Sequence, residues 1–393
     1  MDTENKTISK IIDKKWIVLY NNKKGGNKMT YGKAILIFII GLTIIFLLSP
    51  IIGMNATLLG MLILLIVTMG AIIKAAFNSV RMTNSKWKNK MLKQEKSARF
   101  ESIYEYVKNN YTYELELLRK ELVKHLIIAG ILLVISLIIS GIIGYKTESI
   151  KLGLYAIIPA LTYTMCVYIK YNTKYQSKYK KYVIENFIKT MNDALTYENI
   201  NNNKLNRFYR DAQFQNVSYD KFESEDYISG YIGGTLIEIS DVILKKKTKS
   251  ERGETVYSCI FSHSQISKKV LQEIRLRNNE NPSKRENNRV ELDNEEFEKY
   301  FDVFSDSRIL AMEILTHDIM EEMIQFYNNS EINFEIVIKG NKIYTRYEVG
   351  DIFEGTIFKK STNKEALWIC YNTINFAINL TLKINKILEE KEV

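Results

Sequence analysis

Reactive side chains are sparse in this chain, and few of them stand at a spacing that chemistry needs. Three histidines occur, His125, His263 and His317. Ser262 and His263 are neighbours in a β-rich stretch, and successive strand residues point to opposite faces, so they make a poor nucleophile and base. Cys166, Cys259 and Cys370 are widely separated and give neither a disulfide framework nor zinc-ligand spacing. Gly230-Tyr-Ile-Gly233-Gly234 lacks the Lys-Ser/Thr of a phosphate loop and leads into no evident helix, so its glycines read as bulges or tight crossings in a strand. Glu291, Asp293, Glu295, Glu296 and Glu298 form an acidic cluster interleaved with Leu292, Phe297, Tyr300 and Phe301. On a helix starting near Asp293 the aromatics are buried and the carboxylates wet, and no histidine or fixed carboxylate spacing marks a metal loop. The sequence yields no catalytic, cofactor-binding or metal-ligating residue. The expectation is a protein that is not an enzyme and uses no cofactor.

The elements that would position any site are dominated by apolar runs. Ala34 to Ile73 contains no charged side chain, and two further such runs follow at Leu126 to Tyr145 and Leu152 to Ile169. About 20 apolar residues at 1.5 Å rise cross the roughly 30 Å hydrocarbon core of a bilayer. The first run is long enough for two spans, broken at Ser49, Pro50, Gly53 and Asn55, and the second pair is split by the polar turn Lys146 to Lys151. Four spans in two hairpins are expected.

The net charge of +10 does not describe a nucleic-acid-binding protein. Residues 1–181 hold 27 Lys+Arg against 10 Asp+Glu, whereas residues 182–393 hold 28 against 35, so the part large enough for a globular domain is acidic. The basic residues lie before the first run, between the hairpins and after the last run, where Lys170, Lys174, Lys178, Lys180 and Lys181 follow in close order. The positive-inside rule then puts both termini and the middle segment in the cytoplasm; abundant Lys, Asn and Ile with only three Pro suggest a bacterial source, and so spans in a bacterial cytoplasmic membrane. The opening Met-Asp-Thr-Glu-Asn-Lys has no cleavable signal pattern, so the first run acts as an anchor. Ile11, Ile12, Trp16, Ile17 and Leu19 among Lys10, Lys14 and Lys15 read either as an interfacial segment or as a disordered tail.

Between the hairpins Phe100, Ile103, Tyr104, Val107, Tyr111, Leu115, Leu118 and Leu122 recur at three- and four-residue steps. With no Pro or Gly over residues 80–124 this predicts one long amphipathic helix whose stripe packs on its own chain, a coiled-coil surface being the alternative. Tyr171 to Leu195 and Lys204 to Phe214 read as helices. Tyr227 to Leu244 and Glu254 to Ser262 read as strands, and Arg275 to Asn288, with Pro282, as a loop. Ile332 to Ile338 and Ile343 to Val349 alternate about Gly340-Asn341, which predicts a hairpin with a type II′ turn and Ile338 facing Ile343. Helices at Thr316 to Tyr327 and Lys364 to Glu390 can cover its apolar face.

The organisation expected is a basic segment at 1–33, a transmembrane hairpin at 34–77, an amphipathic helix at 78–125, a second hairpin at 126–170, a helical connector at 171–215 and a cytoplasmic domain at 216–393. In fold class this is a multi-pass α-helical membrane region of four spans plus a cytoplasmic α+β domain with antiparallel strands covered by helices.

Over residues 180 to 390 the chain resembles a bacterial membrane-protein family catalogued as domain of unknown function 3137. The resemblance rests on Arg289-Val-Glu-Leu-Asp-Asn-Glu-Glu-Phe297-Glu-Lys-Tyr-Phe301-Asp-Val-Phe304, on Ala311-Met-Glu-Ile-Leu315-Thr316, on the expected hairpin, and on Asp351-Ile-Phe353-Glu354. Asp226-Tyr-Ile-Ser-Gly230 and Tyr257-Ser-Cys-Ile-Phe261 look like its first strands. Ser307, Met312 and His317 depart from a pattern that would place Asp, Arg and Pro there. The resemblance implies a membrane-anchored cytoplasmic α+β domain and carries no catalytic residues.

The function expected is that of a membrane anchor whose acidic domain recruits or senses a protein partner. The alternative is a transporter subunit or regulator, suggested by Thr162, Tyr163, Thr164 and Cys166 near Pro159 in the fourth span. Partners are then the lipid bilayer and another protein, with no nucleic acid, and the glycines of the spans are compatible with a homo-oligomer.

Overall fold

The computed structural model describes residues 97–199, 203–214, 217–247, 254–279, 288–357 and 363–390. Two compact units divide the chain: Met1–Lys90 with Ile127–Met165, and Met91–Leu126 with Cys166–Val393.

In the first unit the described residues belong to helices α2 (Tyr113–Thr147), α3 (Ile150–Tyr155) and the start of α4 (Ile158–Tyr179). Two stretches are long and apolar enough to cross a membrane, Tyr113–Thr147 and Lys151–Met191. Ile127, Ile131, Val134, Ile138 and Ile142 each expose half or more of their surface, as side chains facing lipid do. The structure thus supports two of the four expected spans, and the hairpin at 34–77 lies outside the described residues. Pro159 falls in the first turn of α4, where a missing N–H is tolerated, so it begins a helix instead of kinking one.

The second unit is a seven-stranded antiparallel sheet with helices. Strands β1 (Leu195–Glu198), β2 (Lys221–Ile232), β3 (Thr235–Lys246) and β4 (Glu254–Asn278) lie side by side in that order. Beyond the end of β3, the far half of β4 pairs with β6 (Phe301–Ser305), which pairs with β5 (Arg289–Val290). β7 (Phe334–Tyr347) runs along the other edge of β4 from Ile260↔Tyr347 to Arg277↔Glu335. The 25-residue β4 is therefore the shared strand of two half-sheets.

Several expectations change on this frame. Residues 227–244 are a hairpin, not one strand: Ile232 pairs with Thr235 across Gly233-Gly234, both at positive φ (57° and 78°), as a type I′ turn requires. The hairpin expected about Gly340-Asn341 does not form. Ile338 pairs with Ile274 and Ile343 with Ser264, because irregularities in β4 between Gln265 and Ile274 absorb extra residues and let β7 run on as one strand, with Gly340 at φ 59°. β4 also extends to Asn278, into the stretch read as loop.

Helices α1 (Ala98–Tyr111) and α2 are separated at Thr112, so the single long helix expected over 78–125 is two within its described part. Ser97 caps the first, accepting from the Phe100 N–H at 3.2 Å. Its stripe packs on its own chain as expected: Phe100 lies 4.8 Å from Trp368 and 6.3 Å from Phe187, ring to ring. A five-residue π turn, Lys180–Ile184, links α4 to α5 (Glu185–Met191). The remaining helices are α6 (Asn206–Ala212), α7 (Glu295–Glu298), α8 (Arg308–Ile314), α9 (His317–Ser330) and α10 (Lys364–Glu390), the last matching its expected bounds.

One face of the sheet packs on α6 through Tyr209, Phe222, Phe261 and Tyr344. On α10, Phe376 stacks on Phe326 of α9 at 4.2 Å and meets Phe334 at 5.3 Å. Rings of this size bury 150–250 Å² each, so these two aromatic layers hold the sheet between them.

Candidate functional site

Among the described residues polar side chains collect at several places, and the first is built around a lysine. Lys180 opens the π turn, where the N–H of Glu185 reaches back five residues to its carbonyl. Its side chain is only 6% exposed and donates to Asp226 Oδ2 at 2.7 Å, with Glu354 Oε1 at 2.6 Å and Glu225 Oε2 at 4.0 Å. Asp226 stands at a bulge in β2 with φ 55°, which swings its carboxylate inward, and Tyr197 of β1 donates to its second oxygen. Ser240 closes the bulge by donating to the Glu225 carbonyl at 2.6 Å.

Glu354 arrives on the segment after β7. Gln176 of α4 grips that segment twice, donating to the Gly355 carbonyl at 2.6 Å and accepting from its N–H at 2.9 Å. Arg119 of α2 donates to the Ile357 carbonyl at 3.1 Å. A Cβ on Gly355 would sit 2.7 Å from the Tyr179 ring, so only glycine allows this approach. Asp241, opposite Glu225 on β3, accepts from the Asp351 N–H at 2.9 Å, while its other oxygen is buried with no partner among the described residues. Burial, with Asp351 and Asp226 nearby, pushes the Asp241 carboxyl up to about 8. Burial also raises Glu354, and Lys180 only partly offsets it.

Glu225, Asp226 and Glu354 bring carboxylate oxygens within 4.8 Å of one another, a set that could hold a metal ion. The Lys180 ammonium already sits on two of them, so the cation of this centre is supplied by the chain. An ammonium held between two carboxylates is neither a nucleophile nor a base.

The second place is the buried His263, which the sequence left beside Ser262. Its Nδ1 lies 2.7 Å from Glu238 Oε2, Tyr227 donates to the other carboxylate oxygen, and the Phe208 ring stacks on the imidazole at 3.7 Å. Burial would raise the Glu238 carboxyl, but His263 and Tyr227 hold it below the usual range. Nε2 of His263 has no partner among the described residues. Base and orienting carboxylate are present, yet among the described residues no serine or cysteine is bonded to the imidazole. Cys259 and Cys370 are buried, and burial pushes both thiols well up. His125, the remaining internal histidine, pairs with Tyr171 at 2.9 Å.

The third place is open. A groove of about 510 Å³ is lined by Leu292, Asp293, Asn294, Glu295, Met312, Leu315, Thr316, His317 and Met320. Asn294 caps α7 and Thr316 begins α9, so two helix starts and the end of α8 frame it. Around the acidic cluster Phe297 and Phe301 are buried and Asp293 and Glu295 lie in solvent as expected, but the helix is only Glu295–Glu298, Tyr300 is half-buried, Phe301 belongs to β6, and Glu298 accepts from the Leu292 N–H at 2.7 Å. What the sequence missed is that His317 and Met320, over twenty residues on, share this groove with it. It also missed Lys180, which stands four before Ile184 and seven before Phe187 on a stripe of buried positions.

Residues 254–386 match the protein family described as "Protein of unknown function (DUF3137)", which bears out the domain named from the sequence over β4 to α10. No curated protein matches the chain. Among solved structures, the crystal structure of the mycobacterial trehalose monomycolate transport factor A, TtfA, aligns at a TM-score of 0.30 with 10% identity, covering 51% of this chain and 91% of that one.

Proposed function

We propose that this protein is a non-enzymatic anchor of the bacterial cytoplasmic membrane, with both termini and its sheet domain in the cytoplasm, and that the domain recruits a protein partner. The observation that carries this reading is a contrast between closed and open polar groups. Asp226 at the Lys180 centre and Glu238 beside His263 are buried and bonded to partners from within the chain, whereas the groove of Asp293 and Met320 presents solvent-facing carboxylates beside apolar side chains. A cavity open to solvent with few convergent polar groups suits docking better than turnover. The polar stretch behind the alternative, transport, is engaged locally: Thr162 donates to the Ile158 carbonyl at 2.9 Å and Thr164 to that of Ala160 at 2.8 Å. Hydroxyls bonded within their own helix favour packing over a conduction path.

The test is in-cell crosslinking and affinity purification of the full chain beside a chain ending at Lys178. A stoichiometric partner lost with the truncation supports recruitment. A set of partners that does not change removes it, as would turnover of a phosphoester, peptide or nucleotide by the full chain that one substitution in the domain abolishes.

A further inference from the structure

We infer that the groove between α7 and α9 takes a basic segment of the partner, one apolar anchor flanked by Lys or Arg; this rests on the docking reading above. The rim is acidic and under-neutralised. Asp293 is 83% exposed and its ion-pair partner among the described residues, Arg308, stands 3.9 Å away and is itself 61% exposed. Glu295 has no ion-pair partner among the described residues. Exposed carboxylates elsewhere are met closely, as Glu105 is by Lys108 at 2.8 Å, or as loosely as here, as Glu114 is by Lys178 at 3.8 Å, so what sets this pair apart is its place at the mouth of a groove with apolar walls. A pair of exposed carboxylates without close cations favours an incoming positive charge and repels an acidic one.

Below the rim Leu292, Met312, Leu315 and Met320 line the groove beside Thr316 and His317. Ile309 is 73% exposed and Met312 37%, and as residues three apart on α8 they share one face that leads into the groove. Leu315 and Met320 floor it at 2% and 9% exposure. Thioether side chains repack around differently shaped aliphatic groups, so two methionines at the walls accept an anchor without demanding one shape. Acidic rim, aliphatic floor and an exposed approach on one helix together define a segment with Lys or Arg on either side of Leu, Ile, Met or Phe.

The experiment places a photo-crosslinking amino acid at Met312 in the full chain in cells, with the same group at the 85% exposed Leu271 as control, and identifies the captured peptide by mass spectrometry. The expected result is one protein captured at position 312 and not at 271, through a peptide with Lys or Arg within four residues of an apolar anchor. Its yield should fall at least tenfold in the D293K/E295K variant and return when the captured segment's own Lys or Arg is changed to Glu. A captured segment that is acidic or uncharged overturns the inference, as does a yield indifferent to the charge reversal. If a partner still co-purifies through the domain while position 312 captures nothing, the groove assignment fails and recruitment stands; if no partner depends on the domain, both fall.

Discussion

The Lys180 centre and the groove use the same carboxylates to opposite ends. In the first, Asp226 is 2% exposed and Glu354 34%, and a single ammonium lies within 2.7 Å of each. In the second, Asp293 is 83% exposed and its cation stands 3.9 Å away. A buried charge must carry its counter-charge with it, because leaving one unpaired costs several kcal/mol, whereas a solvated charge can wait for an external partner at almost no cost to the fold. The difference teaches where to look in this molecule: burial marks charges that hold the chain together, and unmatched exposure marks where the proposed partner is to be sought.

The comparison is broken most severely by Lys180→Met. Two carboxylates then lose their cation, and denaturant unfolding of the full chain in detergent should show a loss of about 3 to 5 kcal/mol. Adding Asp226→Asn and Glu354→Gln should restore a large part of it. A loss under about 1 kcal/mol would mean that the centre is better hydrated than its burial indicates. Next in size is Glu238→Gln, which weakens the hold on His263 and Tyr227 and should cost about 1 to 3 kcal/mol by the same measurement.

Asp241→Asn sharpens the comparison through pH. A carboxyl raised to about 8 in the folded chain keeps its proton where the unfolded chain has lost it. The unfolded state binds fewer protons between about pH 4 and pH 8, so stability falls as pH rises across that window and is level above it. The amide variant lacks that slope. Its Tm should exceed that of the parent chain at pH 8, with the gap closing steadily towards pH 4. A gap that grows on acidification would show that Asp241 is ionised in the fold. The smallest effect belongs to the D293K/E295K variant, whose stability should stay within about 0.5 kcal/mol of the parent chain while partner capture collapses.

Legibility of the sequence followed the reach of each signal. Helix α10 was read to its bounds, and the stripe of Phe100, Ile103, Tyr104 and Val107 was read correctly as core, because a 3.6-residue period is written locally. The hairpin at Gly340-Asn341 was misread for the same reason. Alternation and a glycine-first pair describe a turn equally well as a strand crossing a bulge, and what decides is the length of β4, some seventy residues earlier. Gly233-Gly234 shows the converse, a real two-residue turn passed over as strand irregularity.

The centre was hidden more deeply. Lys180 sat in a run of lysines that the positive-inside rule explains completely, so its charge carried no further information. Its partners Asp226 and Glu354 come from a bulge and from a loop, the two kinds of position that periodicity cannot aim. The groove was half legible, since the acidic cluster was seen and its wet side named, but its far wall comes from the start of α9.

The π turn that carries Lys180 also sets an angle. A π turn holds one residue more than the α-helical turn it replaces, and one residue of an α-helix is a rotation of about 100°. Removing a single residue from Lys180–Ile184 would restore an ordinary helix through this stretch. The Tyr175 and Tyr179 stripe would then keep its phase relative to Phe187 and Ile188, whereas the present residues wound throughout as α-helix would turn one against the other by that amount, taking Gln176 off Gly355. The π turn thus acts as a phase keeper, a loop in the winding that takes up one residue so that the faces on either side of it hold their present partners.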